Sequence, residues 1–383
     1  MEKTIHGHEV TCSKLIKGMK YLTEPSFYPG SCGDIWCWTW ADDGNIYLFG
    51  GDESTIDKKI GLPIKVEGIP PRHKCIALGS RLSAGNFPPK RSFLENTDYW
   101  TMPSGAICID GRIYLFVNKN LENPISKENN LASIIITGIH YPHYQPVSKA
   151  YLLYSDNHGA TFIGNAKDKD PEFFPHKFAW PTFINFGKDY ENARDDYVYA
   201  TSNDGYWDNG SCCYLGRVPR FKIFDRDYWE FYAGMSDDTP IWTKDLNKAV
   251  PMFSDPSPNF PRSSEFGHIG SFEVVYNQGL NRYLMLVWSY MDANGFKSLE
   301  VPYMHSSEIQ IYEAPEPWGP WSLAHNEQNF GPYACYNPRL PTKWMSSDGK
   351  TGWMIYSGNT FESESNRRYG IVIRQCNFEL RES

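Results

Sequence analysis

One short sequence occurs twice in this chain, and this repeat constrains the fold more than any other feature. Residues 43–49 read Asp-Gly-Asn-Ile-Tyr-Leu-Phe, and residues 110–116 read Asp-Gly-Arg-Ile-Tyr-Leu-Phe, an offset of 110 − 43 = 67 residues. Each copy follows another apolar run, at residues 36–41 or 106–109. A strand, a tight turn and a second strand form a β-hairpin. The repeat therefore predicts a modular fold built from hairpins.

Three weaker hairpins continue the series along the chain. Their strands are predicted at residues 183–186 with 197–201, 272–276 with 283–289, and 344–345 with 353–357. Aromatic residues make up 16% of the chain, and such side chains suit half-buried strands. We therefore predict an all-β fold, a five-bladed β-propeller with four antiparallel strands in each blade. Residues 30–383 are predicted to form this single domain, and residues 1–29 a lead-in or a strand that closes the last blade.

Outer strands can also be assigned from the sequence. Residues 155–162 read Ser-Asp-Asn-His-Gly-Ala-Thr-Phe, which resembles the Asp-box turn of sialidase-like propellers. That turn is structural, so it supports the fold and indicates no chemistry. Residues 308–312 and 318–321 are predicted to form the outer edge of blade 4, where prolines at 315, 317 and 320 would prevent further strand pairing.

Charge and composition exclude several classes of function. A net charge of −8 and a pI of about 5.7 argue against a nucleic-acid partner. No stretch of about 18 apolar residues exists, so no membrane span is predicted. No signal peptide is present in this chain, and an extracellular or periplasmic location is expected only if one was removed. The nine cysteines do not show zinc spacing, so we expect no metal. We also expect no cofactor, and we expect the protein to be a monomer.

A propeller binds its ligands at one mouth of the central channel. First strands begin there and second strands end there, so side chains at these positions are the candidates. Carboxylates, amides and aromatic rings at these positions suit a carbohydrate, because rings cover C–H faces and polar groups bond hydroxyls. The predicted substrate-binding residues are Trp36, Trp100, Trp180, Asp204, Asn337 and Arg339.

Two carboxylates at such a mouth can hydrolyse a glycoside, one as acid and one as base or nucleophile. Asp34 is the predicted base or nucleophile, Asp52 a second carboxylate across the hairpin, and Glu265 the general acid from the opposite side. The alternative interpretation makes each of them a strand-end or loop acid without chemistry.

Two other functions stay open. A lyase that acts on a uronic-acid polymer would use His268 or Tyr336 as its base, while Asn337 and Arg339 neutralise the substrate carboxylate. A propeller that only binds carbohydrate would need the aromatic and amide groups alone.

Further stretches resemble a known family. Residues 34–52, with Thr-Trp-Ala-Asp-Asp-Gly and Gly-Gly-Asp, residues 216–219 and 228–234, and residues 314–321 are similar to a group of five-bladed propellers once known only as a domain of unknown function. That group includes endo-D-arabinanases, and its distant relatives are arabinanases, xylosidases and fructosidases. The resemblance covers roughly residues 30–375 and implies a carbohydrate-active enzyme. Asp34 is similar in placement to the blade-one acid of those hydrolases, whereas no acid in blade 2 or 3 matches.

Overall fold

The computed structural model describes residues 2–57, 59–60, 63–78, 99–121, 149–164, 173–178, 180–204, 210–256, 269–291, 306–330, 335–358 and 369–382. The described residues form one separate two-stranded sheet and five larger antiparallel sheets, which are arranged as the blades of a propeller. The prediction of an all-β, five-bladed β-propeller is therefore confirmed. Within the described ranges, no helix is both long and apolar enough to cross a membrane.

The first strands of the chain serve two different parts of the molecule. They are β1 (Glu2–Ile5), β2 (His8–Thr11), β3 (Ile16–Tyr21) and β4 (Ser26–Phe27). β1 and β2 pair as a hairpin. Cys12, which follows β2, forms a bridge with Leu323 of blade 4, so the hairpin is attached to the side of that blade.

The blades follow one another in chain order. Blade 1 consists of β5 (Ser31–Trp40), β6 (Ile46–Ile56), β7 (Lys59–Ile60), β8 (Ile64–Ile69) and β9 (Arg72–Ala77). Blade 2 consists of β10 (Tyr99–Ile109), β11 (Arg112–Leu121), β12 (Lys149–Ser155) and β13 (Ile163–Gly164). Blade 3 consists of β14 (Thr182–Phe183), β15 (Tyr197–Asn203), β16 (Cys212–Pro219), β17 (Glu230–Ser236), β18 (Thr239–Thr243) and β19 (Phe253–Ser254).

Blades 4 and 5 complete the ring. Blade 4 consists of β20 (Glu273–Asn277), β21 (Arg282–Met291), β22 (Ser306–Ala314) and β23 (Ser322–Gln328). Blade 5 consists of β24 (Tyr336–Arg339), β25 (Thr351–Ser357) and β26 (Ile371–Leu380), with β3 as its outer strand. The described residues also include short 3-10 helices at His176–Phe178, Lys188–Tyr190, Arg220–Lys222, Arg226–Tyr228, Leu246–Lys248 and Thr342–Trp344.

The two ends of the chain meet in blade 5. β3 pairs antiparallel with β26, and Met19 lies opposite Phe378 in that register. In β3, Ile16 and Met19 are buried, whereas Lys17 and Lys20 are exposed. This is expected for an outer strand with one covered face. The sheet that ends the sequence is thus completed by a strand near its beginning.

The duplicated Asp-Gly sequence forms two different turns. At the second copy, Asp110 and Gly111 both have positive φ, at 53° and 77°, which is the pattern of a two-residue type I′ hairpin turn. At the first copy only Gly44 does, at 81°, and the Asp43 carboxylate accepts a hydrogen bond from the backbone N–H of Asn45 at 2.9 Å. The same dipeptide thus closes both hairpins, with one residue more in blade 1.

Two predicted strand positions are wrong. In blade 5 the first strand of the hairpin was predicted at residues 344–345, but the inner strand is β24, and residue 344 ends the 3-10 helix Thr342–Trp344. In blade 4, residues 308–312 belong to β22, the third strand, and β23 forms the outer edge. The blade 5 error arises because Asn337, with φ of 52°, and Pro338 interrupt the alternation on which strand assignment depends. The blade 4 error arises because the proline-containing residues 315–321 form the connection from β22 to one further strand, β23, and do not end the sheet.

Candidate active site at the Asp34 mouth

Buried polar side chains collect at one end of the propeller. They lie near the beginnings of the inner strands and the ends of the second strands, where the sequence predicted the mouth. The group comprises Asp34, Ser104, Asn118, Thr182, Asn203, Ser271, Ser289, Asn337 and Ser357. We call this end the Asp34 mouth. Polar groups buried at such a cost are hydrogen-bonded in most structures, and here many of the bonds connect neighbouring blades.

Inter-blade hydrogen bonds run round most of this ring. They go from Thr182 Oγ1 to the carbonyl oxygen of Ser104 at 2.9 Å, from Asn203 Nδ2 to the carbonyl oxygen of Ile269 at 3.0 Å, from Ser271 Oγ to Asn337 Oδ1, and from the Tyr336 hydroxyl to Asp34 Oδ2 at 2.9 Å. The side chains of the mouth therefore fix the blades to one another as well as surrounding the channel.

Asp34 lies on a distorted stretch of β5. The pairing of β5 with β6 shifts register on both sides of Asp34, and the two residues that follow, Ile35 and Trp36, have positive φ of 69° and 46°. A β-branched residue in this region is a genuine outlier, and backbone strain of this kind persists only where the surroundings hold it.

Blade 5 holds the strained segment in place. The N–H of Ile35 donates to Ser357 Oγ at 3.2 Å, and the carbonyl oxygen of Ile35 accepts from Arg339 Nε at 3.2 Å. Arg339 Nη1 also donates to the carbonyl oxygen of Phe272 in blade 4 at 3.3 Å. Arg339 is 0% exposed, so its guanidinium connects blades 1, 4 and 5 from inside the fold.

The carboxylate of Asp34 also depends on a glycine. Asp34 pairs with Gly51 across the hairpin, and a Cβ added at Gly51 would lie 2.5 Å from Asp34 Oδ1. Any other residue at position 51 would therefore displace the carboxylate. Asp34 itself is 6% exposed, and its partner Tyr336 is 6% exposed and packs against Trp288 with ring centroids 5.5 Å apart.

The structure brings together four of the predicted site residues at the join of blades 1, 4 and 5, namely Asp34, Tyr336, Asn337 and Arg339. Sequence reasoning had assigned Asp34 to a hydrolase and Tyr336 to a lyase, whereas here they form one hydrogen-bonded pair. The indoles of Trp36 and Trp180 are 0% and 1% exposed, so they pack in the core behind the mouth. Their role in sugar binding stays a prediction.

Asp204 has a local structural role. Its Oδ1 accepts hydrogen bonds from the backbone N–H groups of Ser211 at 2.6 Å and Cys212 at 2.9 Å, and so it organises the connection into β16. Glu265 and His268 lie outside the described residues. Asp52 and Trp100 lie in β6 and β10, but their side chains are also outside the description.

Sequence reasoning missed one buried carboxylate in the channel, that of Glu273 on β20. Glu273 is 2% exposed, and its two oxygens accept from Trp38 Nε1 of blade 1 and from the N–H of Leu340 of blade 5, the latter at 2.7 Å. Burial raises the pKa of Glu273, and the charge of Arg339 opposes this shift. An acid inside the apolar run Phe-Glu-Val-Val-Tyr of an inner strand was the available signal.

An amide completes this layer from the opposite side. Asn185 Nδ2 donates to the carbonyl oxygens of Trp38 at 3.5 Å and Ala106 at 3.4 Å, and Asn185 Oδ1 accepts from Thr39 Oγ1 at 3.5 Å. Side chains and backbone from all five blades therefore meet in the middle of the channel. We call the layer formed by Trp38, Asn185, Glu273 and Arg339 the central plug.

The fold and this polar mouth define a five-bladed β-propeller with a carboxylate held at one end of its channel. No family model matches the chain, and no curated protein matches it. Its fold is similar to that of a candidate hydrolase from Bacteroides ovatus, with 11% identity, a TM-score of 0.52, and coverage of 90% of this chain and 85% of that one.

More distant structural similarity extends to glycoside hydrolases. A family 43 enzyme from Xanthomonas citri matches with 10% identity, a TM-score of 0.45, and coverage of 93% of this chain and 90% of that one. A family 117 glycoside hydrolase from Zobellia galactanivorans matches with 10% identity and a TM-score of 0.35 over 72% of this chain and 83% of that one. At these identities the likeness shows the fold alone.

Proposed function

We propose that this chain is a glycoside hydrolase that cleaves a polysaccharide or oligosaccharide at the Asp34 mouth. The observation that carries the proposal is the placement of Asp34, a buried carboxylate at the start of the first inner strand, on a strained backbone that blade 5 holds. Strain and buried charge are both costly, and they concentrate at functional sites.

Asp34 is the proposed base or nucleophile of this reaction. The hydrogen bond from the Tyr336 hydroxyl stabilises the ionised carboxylate, which is the form that activates water or attacks the anomeric carbon. The other carboxylate oxygen of Asp34, Oδ1, lies beside Gly51, where the absence of a side chain leaves space for it. A second carboxylate must protonate the leaving group, and we propose Glu265 or Asp52 for that role. We further propose that the chain acts as a monomer.

A lyase remains the second candidate because Tyr336 contacts a carboxylate, which is a possible proton acceptor for the phenol. The contacts of Arg339 count against it. A lyase needs a cation that neutralises the uronate of its substrate, and Arg339 donates two of its N–H groups to backbone carbonyl oxygens. We therefore rank hydrolysis above elimination.

The test is incubation of the full chain with plant, algal and bacterial polysaccharides, with xylo-oligosaccharides included because one similar structure contains xylotriose. Two signals are followed, new reducing ends and the ultraviolet absorbance of an unsaturated uronate. Reducing ends without that absorbance are expected for hydrolysis. Both signals together would identify a lyase, and binding without either would identify a carbohydrate-binding propeller.

A further inference from the structure

A cavity of about 270 Å³ opens at the other end of the channel. Its lining comes from the ends of inner strands and the turns that follow them: Trp40, Gly187, Glu191, Asn192, Tyr276, Gln278, Thr342, Lys343 and Ser347, with a few neighbours. Asp34 and Trp40 are six positions apart on β5, which is about 20 Å in an extended strand. We call this the Lys343 cavity.

The central plug separates the Lys343 cavity from the Asp34 mouth. Trp38, Glu273 and Arg339 are all 2% exposed or less, and Asn185 is 4% exposed. Their hydrogen bonds cross the channel between the two ends. A ligand in the Lys343 cavity therefore cannot reach Asp34 through the channel, and the two ends are independent sites.

The Lys343 cavity is rich in hydrogen-bond donors that lack acceptors. Trp40 Nε1 and Thr342 Oγ1 are buried, and neither has a hydrogen-bond partner among the described residues. Lys343 is half-buried, and Asp43 is the one charged group among the described residues that is found to act on it. Burial lowers the pKa of Lys343, an effect that the charge of Asp43 partly opposes. Buried donors without partners are costly, so an acceptor supplied by a ligand would be strongly favoured.

The remaining lining indicates what kind of acceptor fits. The indole of Trp40 suits the C–H face of a sugar ring, and Gln278 and Ser347 can bond to hydroxyls. The volume is slightly below the range of about 300–1,000 Å³ for pockets that hold drug-sized ligands. It therefore suits one sugar unit rather than a chain. Glu191 also lines the cavity, but its side chain is exposed and can stay in water.

We propose that the Lys343 cavity binds a single uronic-acid unit, with Lys343 bound to its carboxylate and Trp40 against its ring. This site is separate from the Asp34 mouth and does not depend on the proposed hydrolysis. A free uronate and the terminal unit of an acidic polysaccharide share the chemistry that the cavity recognises. Both are tested below.

The experiment is calorimetric titration of the full chain with glucuronate, with glucose and with inorganic phosphate. Glucuronate should bind more tightly than either of the others. K343M should weaken glucuronate binding about ten- to hundredfold, because it removes a hydrogen bond to a charged group. K350M is the matched control, since Lys350 lies on the same face of the propeller, outside the cavity, with its side chain half exposed. It should bind as the wild type does.

A second variant separates loss of binding from loss of folding. T342V removes a buried hydroxyl to which no described residue is hydrogen-bonded, so the fold should tolerate it while glucuronate binding weakens. Titration with an acid-ended oligosaccharide distinguishes a chain end from a free sugar. Equal binding of glucose, tighter binding of phosphate, no glucuronate binding, or unchanged binding by K343M would each overturn the proposal.

Discussion

The position of the Asp34 carboxylate in the candidate active site depends on residues of another blade. Its hydrogen bond comes from Tyr336 of blade 5, and its backbone is held by Ser357 and Arg339 of the same blade. The sequence indicated Asp34 because an acid begins an otherwise apolar strand. It could not indicate the strained backbone or the partner 302 residues away, because both depend on how the ring of blades closes.

The first prediction concerns this hydrogen bond. Y336F should lower kcat/KM about tenfold and move the acidic limb of the pH–activity profile to higher pH, because the ionised form of Asp34 loses a stabilising donor. Y356F is the matched control, since the Tyr356 hydroxyl is buried in the same blade and makes no hydrogen bond within the part of the chain that the structure describes. Identical pH profiles for Y336F and the wild type would rule out this positioning role for Tyr336.

At the scale of strands, local turn chemistry was the most informative signal. The Asp-Gly dipeptides at positions 43 and 110 revealed two hairpins, because such turns are encoded by the few residues that form them. β24 was missed because it has only four residues, including Pro338, and shows no alternation. The pairing of β3 with β26 is beyond local reasoning altogether. It joins segments more than 350 residues apart, and the sequence suggested it only as one of two options.

The second prediction tests whether β3 stabilises the ring. Ile16 is 0% exposed, and I16A should lower the free energy of unfolding by about 2–5 kcal/mol through the lost burial and the cavity left behind. K17A, on the exposed face of the same strand, should change it by no more than about 0.5 kcal/mol. Urea unfolding measures both. Equal effects of the two variants would mean that β3 contributes little to closure.

For the molecule as a whole, the central plug is the structure that all blades share. It fills the channel with a carboxylate, a guanidinium and an amide, and so it separates the Asp34 mouth from the Lys343 cavity. Its carboxylate has a defined consequence for stability. The pKa of Glu273 is raised in the fold from its usual 4.5, so the folded protein favours the protonated form more than the unfolded chain does. The stabilisation that Glu273 gives to the folded state is therefore full at low pH. It is lost as the pH rises through the pKa that Glu273 has in the folded protein.

The third prediction follows from that sign. E273Q keeps the shape but cannot ionise, so its free energy of unfolding should fall less than that of the wild type as the pH rises from about 4 to 8. At the acidic end it should be less stable by about 1 kcal/mol, because the amide cannot accept from both Trp38 and Leu340. Glu67 is more exposed, so the free energy of unfolding of E67Q should change with pH as that of the wild type does. Parallel curves for E273Q as well would contradict the role given to Glu273.

The most direct test of the central claim is the rate of reducing-end release by D34N on the substrate that the wild type cleaves fastest. D34N keeps the size of the side chain and removes its charge. We expect kcat to fall about 10²–10⁴-fold, with folding and oligosaccharide binding retained. Near wild-type turnover by D34N would contradict the proposed role of Asp34, because the carboxylate at the mouth would then take no part in the chemistry.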